Sequence, residues 1–535
     1  MALTRARKLV IFFLVLLIAF AVTIAIAFVA IAPLSEETAR QRVIATLAER
    51  LDAQVELKEL HLQTWPSLRA EGRGLTIRHH GRTDVPPLIS IAHFSADAAI
   101  LTFFYHRHLS RLTIEGLDIQ IPPDHNKDKG DDDERTGAPS IRQPDRAESM
   151  ARTIVVDHLY SMGARLTIIP SEAHKPPRVW DIHDLHMTSL SAGMAMPFEA
   201  TLTNAIPPGE IETRGSFGPW QPDDPGGTPL GGVFAFNRAD LSVFDGVAGI
   251  LSAHGQFGGR LERIDVHGET DTPEFRIVKT GGHPVPLHAT YHTIVDGTNG
   301  NTILDEIDAS FLNTHVIAKG DVLGNPNVHG RTVKLDVSIE RGRLEDLLRL
   351  AVDAPKSPMS GALRLRTSFV LPPGHVDVVK KLKLDGHFAL AGTRFTSDTV
   401  QEKINELSRR GRGKPGEDAE QDARRVQSKF EGQFALAGGT LTLPKVQFDV
   451  PGALVQLAGN YALEPGTLDF KGTLFMDAKV SETTTGIKRV LLKVVDPLFR
   501  RDGGGSAIPI KVTGSRANPQ FGLDKGRLFS NQRHP

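Results

Sequence analysis

The chain has 535 residues, and its 62 Lys and Arg residues almost equal its 63 Asp and Glu residues, giving a formal net charge of -1. A nucleic-acid-binding surface normally shows as an excess of basic residues, so this balance argues against that class. Cysteine is absent, which excludes disulfides, thiolate metal sites, iron–sulfur clusters and cysteine nucleophiles. Gly (50) and Pro (34) are abundant, as expected for many short strands and turns.

An uncharged segment at residues 9–32 predicts a membrane-spanning helix, and Thr23 is its only polar side chain. At about 1.5 Å per residue this helix would be roughly 36 Å long, enough to cross a hydrocarbon core of about 30 Å. Basic residues within 1–8 precede it, whereas Glu36 and Glu37 follow it, so the positive-inside rule predicts a cytoplasmic tail and a translocated body. The alternative is a cleaved signal peptide, whose apolar region is usually only about 7–15 residues long. We therefore predict an uncleaved anchor.

An amphipathic helix is predicted directly after the anchor, at residues 35–51. Ser35 is a suitable N-cap, and the two glutamates after it suit the positive end of the helix dipole. Apolar residues recur at helical spacing at Val43, Leu47 and Leu51. This stripe predicts a helix that caps a β-structured body; a helix lying on the membrane surface is the alternative.

From residue 55 onwards the apolar period changes from helical to two. Apolar and polar residues alternate in runs that begin at Val55, Leu75 and Leu112. Such alternation predicts an antiparallel sheet with one apolar and one wet face, and it fixes the register of the strands. Residues 124–150 are rich in charge, Pro and Gly, and they predict a flexible surface loop.

A calcium site in this loop is the alternative, because Asp124, Asn126 and Asp128 are spaced as at the start of an EF-hand loop. However, Lys129 stands where the turn glycine is required, and Arg135 stands where the bidentate glutamate is required. We therefore expect a solvated charged loop.

Short strands return between residues 151 and 352, separated by Gly, Pro, Asn and Asp. The clearest predicted strands are 198–202, 232–236, 255–264, 287–294 and 333–339. No predicted helix alternates with these strands, which argues against a parallel α/β enzyme scaffold. The strands recur without a strict sequence period, so divergent β repeats are predicted rather than a propeller.

The region 353–535 has the cleanest alternation. One predicted face carries Leu363, Leu365, Thr367, Phe369 and Leu371. A second predicted face carries Leu468, Phe470, Leu474, Met476 and Val480. Pro451-Gly452 predicts a turn that joins a strand with Phe448 to a strand with Val455 and Leu457. Residues 409–425 have mixed charge and predict a mobile loop.

A second amphipathic pattern lies near the end of the chain. Its apolar stripe is Ile487, Val490, Leu491, Val494, Val495 and Leu498. Basic residues cover the other side, so this helix can lie in an anionic membrane interface. It can equally cap the open end of a sheet, whose unpaired edges must be hidden. We favour the cap, and the two roles are compatible.

Catalytic motifs are scarce in this sequence. The pairs His106–His108 and His183–His186 raise the alternative of a metal site. Residues two apart on a strand share a face, so His106 and His108 could bind one ion together. No carboxylate-rich constellation accompanies them, and no Walker loop, GxSxG elbow or HExxH helix is present. We therefore predict surface histidines, no metal, no cofactor and no enzymatic activity.

Stretches at both ends of the chain resemble AsmA-family envelope proteins. At the N-terminal end these are the anchor, the helix at 35–51, and the sequences LHLQTWPSLRAEGRGLTI and RHLSRLTIEGLDIQIPP. At the C-terminal end they are MSGALRLRTSFVLPPG, LKLDGHFALAGTRF, SKFEGQFALAGGTLTLPKVQFDVPGALVQLAGNYAL, FKGTLFMDAKVS and IPIKVTGSRANPQFGLD. The resemblance rests on the order of these stretches, because each alone consists of strand and turn residues.

The resemblance implies a mainly β fold, with the transmembrane helix followed by an elongated, curled antiparallel β-groove and short capping amphipathic helices. It divides the body into an AsmA-like N-terminal β region at 33–123, the loop at 124–150, a middle groove at 151–352 and an AsmA-like C-terminal region at 353–535. The family resembles bridge-like lipid-transfer proteins, so phospholipid is the implied partner. The implied lipid-groove residues are Leu363, Leu365, Phe369, Phe448, Val455, Leu457, Leu468, Phe470 and Leu474.

The resemblance also implies a location in the cell and a length for the groove, and it leaves other functions to be considered. The chain would be a single-pass protein of the bacterial inner membrane with most of its residues in the periplasm, and it would support phospholipid transfer toward the outer membrane. About 15–20 strands would give a groove of roughly 70–100 Å, so an envelope partner protein is a further expectation. A non-catalytic assembly or regulatory factor for outer-membrane proteins is the alternative. A glycan-binding module is disfavoured, because the chain has only three Trp and four Tyr residues for aromatic platforms.

Overall fold

The fold is mainly β, with few helices. The computed structural model describes residues 35–51, 53–79, 86–99, 108–121, 155–169, 177–191, 193–221, 224–278, 281–325, 328–374, 376–415, 426–483, 499, 501, 504–515, 518–524 and 526. These residues contain 25 strands, more than the number predicted, because some predicted strands combine two. The predicted strand 255–264, for example, is the end of one strand and the start of the next, separated by a turn at residues 261 and 262.

The helices and strands of the described chain have the following bounds. The helices are α1 (Glu36–Leu51), α2 (Leu344–Ala351), α3 (Val378–Lys381) and α4 (Asp398–Gly411). The first strands are β1 (Ala53–Gln63), β2 (Leu68–His79), β3 (Ile89–Ala98), β4 (His108–Leu109), β5 (Arg111–Ile121), β6 (Val155–Ile168), β7 (Arg178–Leu190), β8 (Met196–Ala205), β9 (Pro208–Phe217), β10 (Pro229–Asp240), β11 (Val247–Ala248) and β12 (Ile250–Arg260). The remaining strands are β13 (Arg263–Ile277), β14 (Val285–Val295), β15 (Thr302–Phe311), β16 (Thr314–Asn325), β17 (Val328–Arg343), β18 (Met359–Leu371), β19 (Lys383–Phe395), β20 (Ser428–Ala437), β21 (Thr440–Val450), β22 (Ala453–Ala462), β23 (Thr467–Met476), β24 (Ser506–Ser515) and β25 (Asn518–Leu523).

The described residues divide into two compact units. Unit 1 takes its residues from Met1–Val243, Ile250–Thr270 and Thr293–Asn301. Unit 2 takes its residues from Phe244–Gly249, Asp271–His292 and Thr302–Pro535.

Several predicted segments lie outside the described residues. They are the tail at 1–8, the anchor at 9–32, the loop at 124–150 and the amphipathic stripe from Ile487 to Leu498. Within the part of the chain that the structure describes, no helix is long and apolar enough to span a membrane.

Unit 1 contains a mixed sheet. Its strands pair in the order β1, β2, β3, β5, β6, β7, β8, β9, β10 and β12. Most pairs are antiparallel, but β5 and the short β4 both pair with β6 in parallel. The prediction of a purely antiparallel sheet is therefore wrong here. A hairpin forces antiparallel pairing, whereas a parallel pair needs a connection of a dozen or more residues, and residues 122–154 provide that length.

A glycine with a left-handed backbone explains how the alternating pattern of β5 keeps one face apolar. Leu112 and Ile114 have even numbers, whereas Leu117 and Ile119 have odd numbers, yet all four are buried. Gly116 lies between them with φ 62°, a conformation that a glycine adopts without steric strain. The register of β5 with β3 and with β6 is continuous across Gly116, so no residue is inserted there. The left-handed backbone at Gly116 changes the side to which the following residues point, so that both halves of the strand face the core.

Helix α1 has the predicted cap and the predicted apolar contact with the sheet. The Thr38 N–H donates to Ser35 Oγ at 3.3 Å, which confirms Ser35 as the N-cap. Ala39, Val43 and Leu47 are at most 2% exposed and belong to the main core of unit 1. The helix therefore packs on the β-structured body through this stripe.

Helix α1 also covers the edge of β1 with polar side chains. Arg40 Nη1 donates to the Leu57 carbonyl at 2.7 Å, and the Leu62 N–H donates to Glu36 Oε1 at 3.4 Å. Strand β1 pairs with β2 on its other side. Unpaired backbone groups on an edge strand are a site for unwanted strand addition, and these two contacts occupy them.

We expect the Glu37–Arg40 pair to make the attachment of α1 sensitive to acid. Hydrogen bonds from Arg40 and then Gln41 lower the pKa of Glu37 from 4.5 to about 2. A carboxyl whose pKa is lowered by folding stabilises the fold above its ordinary pKa and loses that contribution as the pH falls toward the lowered pKa. The melting temperature of the wild-type protein should therefore fall more steeply between pH 4.5 and about 2 than that of Glu37→Gln. Glu56→Gln, an exposed change on β1, is the control; parallel curves for wild type and Glu37→Gln would contradict the expectation.

Unit 2 contains an antiparallel meander. From β15 to β25 each strand pairs with the next one along the chain. Helices α2 and α4 follow β17 and β19, so both lie at the same end of the sheet. The predicted turn at Pro451-Gly452 is confirmed between β21 and β22, also at this end, which we call the helical end.

Two predictions for this region are wrong. The predicted loop at 409–425 starts too early, because residues 409–411 are the last turn of α4, while 416–425 lie outside the described residues. The helix continues there because Ser408 and Arg409 are buried. Val480 does not share the strand face of Leu468, since β23 ends at Met476 and Val480 begins a short 3-10 helix.

Candidate functional site

The sheet of unit 2 brings apolar side chains of many strands onto one face. The register places a first row opposite one another across successive strands, namely Leu363, Leu390, Phe430, Phe448, Val455, Leu474 and Ile508. A second row, two residues farther from the helical end, is Leu365, Phe388, Gly432, Val446, Leu457, Gly472 and Ile510. We call this surface the apolar face.

The apolar face continues beyond the second row. Phe369 lies opposite Leu384, and Leu468 lies opposite Tyr461. Phe470 pairs with Val512, and Val512 with Phe521 at the edge. Every lipid-groove candidate taken from the sequence thus lies on this one face of one sheet. Their contact with lipid stays a prediction.

Helix α2 covers one part of the first row. Its residues Leu344, Leu347 and Leu348 pack in a cluster with Leu363 and Leu390. Leu363 is 3% exposed as a result.

Helix α4 covers the neighbouring part of the first row. Its residues Ile404 and Leu407 pack in a cluster with Phe448, Val455 and Leu474. The end of the face nearest the helices is therefore closed by apolar side chains.

Farther from the helices, the apolar face is incompletely covered. Phe369, Phe434, Leu468 and Phe470 are only half-buried and do not belong to the clusters that contain α2 and α4. Phe521, on the edge strand β25, is 77% exposed. We call these half-buried side chains the open part of the apolar face. A contiguous apolar surface of this kind is typical of a binding site.

Cross-strand glycines make the apolar face smooth. A Cβ atom at Gly386 would lie 2.9 Å from Phe434 Cζ, and one at Gly459 would lie 2.8 Å from Phe470 Cδ1. Leu457 lies over Gly472 in the same way, with Cδ2 2.9 Å from the Cβ position. Because glycine leaves room above the backbone, these side chains lie over the neighbouring strand. The result is a flat apolar surface formed by aromatic rings and methyl groups.

The opposite face of the same strands is charged and wet. Arg364 and Arg366 are exposed on β18, where they alternate with the inward Leu363 and Leu365. Arg366 Nη2 donates to Glu340 Oε1 at 2.6 Å, and this bond lowers the pKa of the Glu340 carboxyl. Only one face of this sheet is therefore apolar.

A buried carboxylate attaches α2 to the sheet. Asp346 is 4% exposed, and its Oδ2 accepts hydrogen bonds from the Asn313 N–H and the Thr314 hydroxyl, both at 2.9 Å. Glu345 Oε2 accepts a further bond from the Gly361 N–H at 3.0 Å. These contacts fix the helix over the first row of the apolar face.

The histidine pairs singled out in the sequence have ordinary polar partners where they are described. His108 Nδ1 lies 2.9 Å from Asp157 Oδ1, and His183 Nε2 lies 2.8 Å from Thr203 Oγ1. His186 stacks on Tyr160 with ring centroids 4.5 Å apart. His106 lies outside the described residues. No group of three or more His, Cys, Asp or Glu side chains suited to a metal ion occurs among the residues that the structure describes.

The covering helices were not predicted from the sequence, although both carry signals. Ser397 caps α4, its side chain accepting from the Val400 N–H, and the four leucines of α2 have helical spacing. Helix α2 has only eight residues, and α4 runs into the basic and glycine-rich segment that begins at Arg409. The alternating pattern of the surrounding strands therefore dominated the prediction.

Comparison with models of protein families, with curated proteins and with solved structures finds no similar protein.

Proposed function

We propose that this protein binds lipid on the apolar face of unit 2 and supports phospholipid transfer in the bacterial envelope. The observation that carries the proposal is the continuous apolar face, covered by helices at one end and half-buried beyond the second row. Exposed apolar surface of this extent is costly in water. Acyl chains are suitable occupants, because each buried methylene contributes about 0.8 kcal/mol.

The proposed mechanism is passive partitioning without covalent chemistry. Acyl chains lie along the apolar rows, and the charged opposite face stays in water. Smooth packing of rings over glycines presents few side chains that would hold one acyl chain in a fixed position. Lipid therefore exchanges by sliding along the face, and no catalytic residue is required.

The proposed setting is the inner membrane, with residues 9–32 as the anchor. The AsmA-like stretches at both ends of the chain support this part of the proposal, together with the charge distribution around 9–32. In this arrangement the anchor holds the protein at the membrane that supplies phospholipid. A partner protein in the envelope would receive the lipid.

A second candidate function, a non-catalytic assembly factor for outer-membrane proteins, is favoured by one observation. Strand β25 pairs with β24 on one side, and among the described strands no other pairing is made by β25. All six of its residues are exposed. An edge of this kind can accept a strand from a partner protein.

The test of lipid binding uses the full chain extracted in a detergent-free polymer that retains membrane lipid. The extracted protein is washed and its lipid is identified by mass spectrometry, and exchange of labelled phospholipid between donor and acceptor vesicles is then measured. We expect phospholipid to remain with the protein and exchange to be faster than without protein. Protein that retains no lipid and leaves exchange unchanged would overturn the proposal, and acceleration of outer-membrane protein assembly by the same preparation would favour the second candidate.

A further inference from the structure

The turn between β1 and β2 carries an exposed tryptophan. Residues 64–67 form this turn, which we call the tryptophan turn, and Trp65 is 79% exposed. The segment 62–68, which includes the turn, contains no charged side chain. Single exposed apolar side chains are common on protein surfaces, so the position of this one in the fold decides what it indicates.

The tryptophan turn has a defined conformation. Gln63 Nε2 donates to the Trp65 carbonyl at 3.0 Å, which closes the turn from the β1 side. Leu68, the first residue of β2, is 7% exposed and belongs to the main core of unit 1. The turn is therefore attached to the core at its base, while the indole ring stays in solvent.

Helix α1 begins at the same end of unit 1 as this turn. Glu36, the first residue of the helix, accepts a hydrogen bond from the Leu62 N–H at 3.4 Å, and its Oε2 lies 3.6 Å from His61 Nδ1. One helical turn later, Arg40 contacts the Leu57 carbonyl, which comes earlier in β1. The helix therefore runs antiparallel to β1, with its N-terminus toward the tryptophan turn.

The proposed anchor joins unit 1 at this end. Residue 32, the last of the anchor, precedes Glu36 by four residues, and a segment of four residues spans at most about 14 Å. The tryptophan is only three residues beyond Leu62, which contacts Glu36. Trp65 thus lies at the end of unit 1 where the chain leaves for the membrane.

We propose that the tryptophan turn inserts Trp65 into the headgroup region of the membrane that holds the anchor. This inference rests on the membrane setting of the proposed function and adds a second contact between the protein and the bilayer. An indole ring has an apolar body and an N–H donor, so it is favoured at the membrane–water interface. Because the segment 62–68 is uncharged, its insertion removes no ion from water. One contact leaves unit 1 free to rotate about the anchor, whereas two contacts restrict that rotation.

The opposite end of unit 1 provides a matched control position. Ile206 is 49% exposed and, like Trp65, precedes a proline in a hairpin turn, here between β8 and β9. The strand pairings from β1 to β8 place Met196, at the start of β8, at the end that carries the tryptophan turn. Strand β8 has 10 residues, so Ile206 lies roughly 33 Å from that end. Ile206→Trp therefore places an indole in an exposed turn remote from the anchor.

The test measures tryptophan fluorescence of the full chain reconstituted in phosphatidylcholine vesicles. Three proteins are compared, namely wild type, Trp65→Phe, and Trp65→Phe combined with Ile206→Trp. The emission that Trp65→Phe loses is the signal of Trp65, and the emission that the double variant regains is the control signal. Lipid brominated near the carboxyl end of its acyl chains should quench most of the Trp65 signal, and lipid brominated near the methyl end should quench less of it. The control signal should be quenched by neither lipid, but strongly by acrylamide in the water.

The outcomes separate failure of the inference from failure of the membrane setting. A Trp65 signal that brominated lipid leaves unchanged would overturn the inference, and shielding of that signal from acrylamide in the same sample would indicate a protein partner instead. Protein that alkaline carbonate releases from the vesicles would contradict the anchor and would overturn the inference together with it. Trp65→Phe should melt at the same temperature as wild type, because the ring is exposed; a lower melting temperature would show that the ring packs in the fold and would also overturn the inference.

Discussion

Leu457→Asp should reduce the lipid recovered with the purified protein by about tenfold or more. Leu457 lies in the second row of the apolar face, opposite Val446 on one side and Gly472 on the other. A carboxylate there would be placed against acyl chains, and burying such a charge without a partner costs several kcal/mol. Since about 1.4 kcal/mol corresponds to a tenfold change in affinity, the loss should be easy to measure by mass spectrometry. Vesicle exchange should slow in parallel.

The neighbouring residue provides a matched control for this experiment. Ala458 is exposed on the opposite face of the same strand and lies directly across from Lys471. Ala458→Asp introduces the same charge one residue away, where water and a lysine can compensate it. We expect this variant to retain lipid like wild type. Equal retention by Leu457→Asp and Ala458→Asp, with both folded by circular dichroism, would show that the apolar face does not hold the lipid.

Phe94→Ala should lower the free energy of unfolding of unit 1 by about 3–5 kcal/mol, the range for deleting a buried aromatic side chain. Phe94 is 2% exposed, and its ring occupies the space over Gly72 on the neighbouring strand. A Cβ atom at Gly72 would lie only 2.1 Å from Phe94 Cζ. Gly72→Ala should therefore destabilise the protein by about 1–3 kcal/mol through overpacking. Urea denaturation followed by circular dichroism measures both effects.

The double variant Gly72→Ala with Phe94→Ala tests the contact itself. The alanine methyl at position 72 no longer meets a ring, so the combined loss should be smaller than the sum of the single losses. Additive losses would contradict the role given to this pair. Phe521→Ala is the control, because this ring is 77% exposed and its removal should change stability by no more than about 0.5 kcal/mol.

The strands were predictable where one face of the sheet is buried. In β18 leucines alternate with arginines at Leu363, Arg364, Leu365 and Arg366. This alternation indicates that the leucines face inward, and the structure confirms that orientation. In β5 the pattern changes sides at Gly116, whose left-handed backbone is where the change occurs. Period-two alternation is a local property of the chain, so it is visible without knowledge of the neighbouring strands.

Features that depend on distant parts of the chain were not predictable in the same way. The parallel pairing of β5 with β6 depends on where the chain returns after residues 122–154, which no local pattern records. The helical conformation of residues 409–411 depends on the packing of α4, whereas their sequence context, a run of basic residues and glycines, indicates a solvated loop. The covering of the first row by α2 and α4 likewise follows from tertiary packing.

Helices α2 and α4 both lie in connections at one end of the sheet. This position determines which segments of the protein can change in length. Each helix is inserted between two paired strands, and closing a longer loop costs only about 0.6 kcal/mol for each doubling of its length. The helical connections can therefore grow, shrink or be exchanged while the strand register stays unchanged. In such a design the sheet is the constant part, and the segments at the helical end are exchangeable inserts that set how much of the apolar face is covered.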